Sequence, residues 1–285
     1  ALELTSGFIN LNKPSGISSA AAVSKIKRIT GLACGHMGTL DPLASGVLPV
    51  AFGNASRLFN YLLDKEKVYR AVFRFGTDTD TLDSAGEILK SGLPVPTEDK
   101  INSVLSEFVG EIEQVPPIYS AKSVGGVRAY RLARQGKEVE LSAKRVTVHS
   151  LVLLGRLNET DYEFRISCGG GTYIRSLARD IAAACGTCAV MTSLVREKSG
   201  VFELSSSVTL EQLTKEIWRF FAVAPDAVFA MPQCNIGGRD AEKLRNGLKL
   251  TSDLADGEYK LYFDGAFYGI AAAENGTFRP KVKLA

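Results

Sequence analysis

"RVTVHSLVLLGRL" at residues 145–157 and "DYEFRISC" at 161–168 alternate apolar with polar side chains and are rich in β-branched and aromatic residues. They read as two paired antiparallel strands. Working outward, "TYIRSLARDIAAACG" downstream has helical periodicity and a glycine stop at Gly186. "TLEQLTKEIWRFF" (209–221) reads as a further helix. Upstream, "KVYRAVFRFG" reads as a strand, "PTEDKINSVLSEFVG" as a capped helix and "RAYRLARQG" as a short basic helix ending at Gly136. Before these, "GVLPVAFG" reads as a buried strand and "NASRLFNYLLD" as a helix capped by Asn54. At the start, "GFINLNKP" reads as a strand ending at Pro14. "SAAAVSKIKRITG" follows as a helix capped by Ser18 or Ser19 and stopped near Gly31. Helices and strands do not alternate as strict βαβ units. The expected class is α+β: a mixed, largely antiparallel sheet flanked by helices. From about residue 229 the pattern changes to short strands, "EYKLYFDG", "AFYGIAAAENG" and "TFRPKVKL". The division expected is 1–228 and a small β-rich, barrel-like unit at 229–285.

The bulk composition is that of a globular chain with a sizeable core: 285 residues, 45% hydrophobic, 23% charged, net charge +3. That charge permits a nucleic-acid partner without demanding one. Locally, residues 122–145 carry seven basic side chains (Lys122, Arg128, Arg131, Arg134, Lys137, Lys144, Arg145) against Glu138 and Glu140. This is either a solvated face or a phosphate-contacting surface. No apolar run approaches the roughly 20 residues that span a bilayer, and the first residues lack a signal pattern, so a cytoplasmic protein is expected. Five cysteines suggest reduced thiols. Cys185 and Cys188 form a CxxC that could be a redox pair or half a zinc site. With no second pair, they read better as small buried residues at a helix end.

The most unusual composition is "CGHMGTLDPLASGVLP" at 34–49, with Gly35, Gly38, Gly46, Pro42, Pro49, His36 and Asp41. It suits neither helix nor strand. Pro42 fixes its own φ and biases Asp41 toward extended backbone. A rigid loop presenting one carboxylate suits a nucleophile, an acid/base group or a metal ligand. A metal is disfavoured because the loop holds no second carboxylate and one histidine. A turn capped by Asp41 is the plain structural alternative. "CGGGTYIRSLARD" at 168–180 could be an anion-binding helix start or a flexible turn.

Together, "GHMGTLDPLASGVLP" and "GTYIRSLARD" resemble the bacterial tRNA pseudouridine-55 synthase family, TruB. The likeness extends through "GFINLNKPSGISS", "KVYRAVFRFGTDTDTLDSAGEI" and "QVPPIYSAKSVGGVRAYRLARQG". The tail from 229 is similar to a PUA RNA-binding domain. The resemblance implies the pseudouridine synthase fold, with an RNA-binding insertion near 117–145. It implies conversion of one T-loop uridine of tRNA to its carbon-linked isomer, by base flipping and covalent catalysis at Asp41. It places a base-stacking ring at Tyr69, a partner cation at Arg175, and pocket or RNA contacts at Tyr173, Leu194 and His36. Arg128, Arg131 and Arg134 fall in the insertion as RNA contacts. No metal or cofactor, no obligate protein partner and a monomer are expected. Two departures stand out: Gly169-Gly170-Gly171 where the family commonly has Ser-Lys-Gly, and Met37 where it often has threonine. Two other functions compete: a non-catalytic RNA-binding or tRNA-folding protein, and a guide-RNA-dependent synthase.

Overall fold

Val146 and Val148 are buried, and so is Leu151, although Leu151 has the opposite parity along the strand Lys144–Arg156. A register slip between Val148 and Ser150 resolves the conflict. One extra residue flips the alternation, so both apolar sets reach the same core. This computed structural model describes residues 4–63, 65–120, 123–124, 127–136 and 141–284.

The bulged strand pairs antiparallel with Asp161–Cys168 as the sequence predicts. The main sheet has ten strands. Its main path runs Ala222–Val223, Gly7–Lys13, Ser45–Phe52, Ala189–Ser199, Lys67–Phe75, Asp161–Cys168, Lys144–Arg156, Gly110–Gln114. Neighbours on this path are antiparallel except Ser45–Phe52 against Ala189–Ser199, which is parallel. The α+β class and the mixed, largely antiparallel sheet follow.

Alternation sorts side chains onto two faces. Ile9, Leu11, Leu48, Val50, Ala71 and Phe73 join one cluster, together with buried residues of helices Ser19–Thr30, Glu98–Leu105 and Ile174–Ala184. Phe8, Val47 and Ala51 point the other way, into a cluster with Leu58, Phe202 and Phe229. Beyond residue 232 a separate five-stranded sheet forms from Gln233–Ile236, Gly257–Phe263, Ala266–Glu274, Thr277–Lys283 and Leu250–Thr251, in that order. Leu261, Phe263, Phe278 and the helix residues Ala241 and Leu244 make its own core. Ile270 and Leu284 instead enter the cluster around Phe8.

Several local expectations need correction. Residues 54–63 are not one helix capped by Asn54. A 3-10 turn, Gly53–Leu58, leads into the single helical turn Phe59–Leu63, and the Asn54 amide donates to the Leu284 carbonyl instead. Residues 209–221 hold turns and a 3-10 segment, Trp218–Phe221, not a helix. There Val208 bonds Asn10 and Asn12, and Leu213 and Trp218 reach the main core individually, so tertiary contacts override the periodicity. Cys34–His36, inside the supposed loop, is a short strand on Ser45–Phe52. Gly110–Gln114 is a strand missing from the sequence reading. Cys185 and Cys188 are half-buried free thiols rather than buried ones. Gly186 does end the helix, with φ +78°.

Candidate active site

Asp41 sits between peptides that are each fastened to a different element. The Ser19 hydroxyl donates to the Leu40 carbonyl (2.7 Å) and accepts from the Leu40 amide (2.9 Å). The Gly16 amide donates to the Pro42 carbonyl at 2.8 Å, and the Ser15 hydroxyl to that of Leu43 at 2.6 Å. Lys13 is fully buried and its ammonium donates to the carbonyls of Pro14 (2.8 Å), Ile17 (2.7 Å) and Pro42 (3.4 Å). "NKPSGISS" is therefore a clamp on the Asp41 turn. From the other side, the buried Arg196 guanidinium donates to Gly38 (3.1 Å), Thr39 (3.4 Å) and Val47 (2.7 Å) carbonyls. Gly38 has φ +114°, a turn that a side chain would strain.

The carboxylate is one-third exposed and meets Arg175, whose Nε lies 2.8 Å from Oδ2. The N–H does not point along that line, so the contact is an ion pair rather than an aligned hydrogen bond. The other guanidinium nitrogens donate to carbonyls of Thr81 (2.9 Å) and Tyr119 (3.0 Å). Thr81 is held in turn: its hydroxyl donates to Asp83 Oδ1 at 2.7 Å. Leu82 between them has φ +61°, a strained conformation for a branched side chain, fixed by a Met191 N–H to Leu82 carbonyl bond.

A cavity of about 240 Å³ opens beside Asp41 and Arg175, walled by Tyr69, Tyr173, Leu194 and Arg196. Tyr69 is buried, and burial pushes its phenol pKa up while the positive charge of Arg196 pulls the other way. Tyr173 precedes the helix Ile174–Ala184. Its amide donates to Gln114 Oε1 (2.7 Å) and its carbonyl accepts from Gln114 Nε2 (3.1 Å). Lys67 also borders the cavity, its ammonium bonded to carbonyls of Leu62, Leu63 and Lys65. A second hollow of about 560 Å³ lies across Asp41, and His36, Tyr119 and Arg134 border it.

The structure thus gathers Asp41, Tyr69, Tyr173, Arg175 and Leu194 at one cavity, with His36 and Arg134 at the adjacent hollow. Arg131 lies exposed on the helix Ala129–Arg134 and borders neither cavity. Arg128 is in the strand Val127–Arg128, but its side chain is outside the described residues, as are Lys122 and residues 137–140 of the basic segment. Asp180 pairs with Arg179 at 2.8 Å. Sequence reasoning missed Lys13, Lys67, Asp83, Gln114 and Arg196. Lys13 lay inside the quoted "GFINLNKP" and Arg196 two residues beyond Leu194, and a charged residue on an apolar strand was their one signal. Met37 proves to be a packing residue among Phe8, Val47 and Ala51. Over the glycine turn, a Cβ at Gly171 would come within 2.8 Å of the Lys144 amine, so a cation from another strand covers that place.

Among the described residues no three His, Cys, Asp or Glu side chains are grouped to hold a metal. No described helix is long and apolar enough to cross a membrane.

Known proteins match this arrangement. "TruB family pseudouridylate synthase (N terminal domain)" matches residues 26–174, and "tRNA pseudouridylate synthase B C-terminal domain" matches 175–226. A tRNA pseudouridine synthase B of Acaryochloris marina is 41% identical, covering 98% of both chains. One of Caldanaerobacter subterraneus is 40% identical, covering 96% of this chain and 98% of its own. Among solved structures, a Cbf5–Nop10–Gar1 complex contains a chain 28% identical, with TM-score 0.69 over 95% of this chain and 79% of its own. An archaeal box H/ACA Nop10–Cbf5 complex gives 27% identity and TM-score 0.69, covering 100% of this chain and 88% of its own. Clamped turn, buried arginine and aromatic cavity occur here in a chain that belongs to the TruB family of pseudouridylate synthases.

Proposed function

We propose that the chain isomerises a uridine of tRNA to pseudouridine, at position 55 of the T-loop, with Asp41 as the nucleophile. The observation that carries this is the Asp41–Arg175 pair at 2.8 Å on the edge of a 240 Å³ cavity walled by Tyr69, Tyr173 and Leu194. A cavity of that size takes one flipped nucleoside and not a stacked pair. Flipping is required because a stacked base hides the reacting atoms. Tyr69 offers a π face to the extruded ring, a contact worth about 1–3 kcal/mol. Arg175, paired with Asp41 at 2.8 Å, holds the carboxylate aimed. The carboxylate attacks either C1′ of the ribose or C6 of the uracil. By either route the N1–C1′ bond breaks, a C5–C1′ bond forms, and the proton on C5 is replaced by one on N1. Atoms and electrons balance with no oxidant or reductant.

His36 and the basic segment Arg128, Arg131 and Arg134 contact the T-arm in this reading. Residues 1–228 form the catalytic domain and 229–285 a PUA-like RNA-binding domain. A tRNA substrate implies work in the cytoplasm. The guide-dependent alternative draws on the likeness to chains from Cbf5 complexes. Higher identity to relatives named tRNA pseudouridine synthase B, over nearly the full length, favours action on tRNA without guide RNA, and a monomer belongs to that reading.

The test is one purified chain on unmodified T-arm RNA with no guide. Wild type should form pseudouridine, and Asp41→Asn should bind the RNA but lose at least about 10³-fold in rate. Wild type that binds without converting would establish the non-catalytic reading. Conversion only with added guide RNA would establish the other.

A further inference from the structure

Arg196 has no role in the steps above, yet it is among the most buried charges in the molecule, 2% exposed. Burying a guanidinium is costly unless its donors are met. No described carboxylate lies within ion-pair distance of it, and main-chain carbonyls take its donors instead. Those carbonyls belong to Gly38 and Thr39, two and three residues before Asp41, and to Val47 on the strand that follows the turn. The same guanidinium borders the cavity that Tyr69 walls, and its charge pulls the Tyr69 phenol pKa down against the upward push of burial. Its backbone faces Tyr69 across one strand pair and Gly46 across the other. A structural filler at this place would be apolar, as Met191 and Leu194 are on the same strand.

We propose that Arg196 is a positioning residue: its rigid fork locks the turn carrying Asp41 to the strand that pairs with Tyr69, so that nucleophile and stacking platform stay in one fixed relation. The planar fork matters more than the charge. It reaches three carbonyls in different directions, which an ammonium on a flexible stem does not reproduce. Arg175 steadies the carboxylate itself; Arg196 steadies the peptides behind it. This rests on the proposed reaction.

The experiment compares Arg196→Lys, Tyr69→Phe and the double variant in single-turnover pseudouridine formation, with RNA affinity and thermal midpoint measured on the same preparations. Arg196→Lys should remain folded, bind T-arm RNA within about threefold of wild type, and lose at least about tenfold in rate at saturating enzyme. If Arg196 acts through Tyr69, adding Arg196→Lys to Tyr69→Phe should cost clearly less than it costs alone. Should Arg196→Lys unfold, Arg196→Ala assayed with and without low-millimolar guanidinium replaces it, sodium chloride being the control. Partial recovery of rate with guanidinium alone supports the proposal. A lysine variant turning over at the wild-type rate, additive costs in the double variant, or a rate loss that only follows the unfolded fraction overturns it. Wild type inactive on the RNA is a separate failure, of the reaction itself. In that case Tyr69 phenol titration by ¹³C-tyrosine NMR still reads the contact. It should move upward in Arg196→Met, and an unmoved titration sinks the proposal.

Discussion

Asp41 owes its geometry to residues that never touch a substrate. Lys13 is the most exposed to pH. Burial pulls its pKa down to about 8, against the opposing attraction of Asp41. Unfolded, the amine titrates near 10.5. Between these values the unfolded chain holds the proton that the folded chain has lost, so Lys13 makes stability rise with pH from about 8 to 10.5. Below 8 both states are protonated and the slope vanishes. Function moves the other way. Losing a proton removes one donor from the carbonyls of Pro14, Ile17 and Pro42, so turnover should fall on an alkaline limb near pH 8. In Lys13→Arg that limb should vanish from the rate profile, since arginine stays charged. Arg175→Lys should keep RNA binding but lose at least about 10²-fold in rate. A point charge cannot hold Thr81, Tyr119 and Asp41 at once. Single-turnover kinetics beside a binding isotherm decides it.

At the scale of elements, the parallel pairing of Ser45–Phe52 with Ala189–Ser199 brings the Asp41 turn and Arg196 together. Gly46 permits it. Its φ is +101°, and a Cβ there would stand 2.3 Å from the Arg196 carbonyl. Gly46→Ala should therefore cost at least about 2 kcal/mol, from strain and forced separation, read as a lowered urea midpoint. That pairing was not legible in the sequence, because a parallel contact between distant strands leaves no local pattern. Most strands and the helices capped by Ser18 and Thr97 were legible, since each announces itself by alternation or by a capping oxygen. Residues 209–221 misled because Leu210, Leu213 and Ile217 have helix-like spacing, whereas Leu213 and Trp218 enter the main core one at a time. Of the site, Asp41, Tyr69 and Arg175 were legible through motifs. Lys13 and Arg196 gave only the signal of a charge on an apolar strand, which does not say that the side chain will be buried with backbone for partners.

For the whole molecule, charge and packing give different expectations at the basic segment and the tail, the two regions proposed to contact RNA. Neutralising Arg128, Arg131 and Arg134 together should weaken T-arm binding and flatten its dependence on salt by up to about three charges' worth. An unchanged slope in binding titrations from low to high salt would mark the segment as a solvated face. The tail is not a detachable appendage. Ile270 and Leu284 pack with Phe8 and Val47, and the Lys283 and Leu284 carbonyls accept from Arg57 and Asn54. Deleting 229–285 should lower the thermal midpoint as well as RNA affinity. Charge changes at the exposed Arg239 and Lys249 are the cleaner probe of RNA contact.

The separation along the chain between Gly38 and Arg196, 158 positions, also governs when the protein becomes competent. A ribosome delivers the Asp41 turn and its first clamp early and the two arginines that complete its hold late, since Arg175 and Arg196 lie in the last 40% or so of the chain. A growing polypeptide is surrounded by tRNA throughout its synthesis. Until residue 196 has emerged and its strand has docked, the Asp41 turn has only the bonds from residues 13–19, with no Arg175 or Arg196 against it and no complete cavity beside it. The nascent enzyme is therefore inert toward the tRNAs that are building it, and its first turnover waits for most of the chain to be translated.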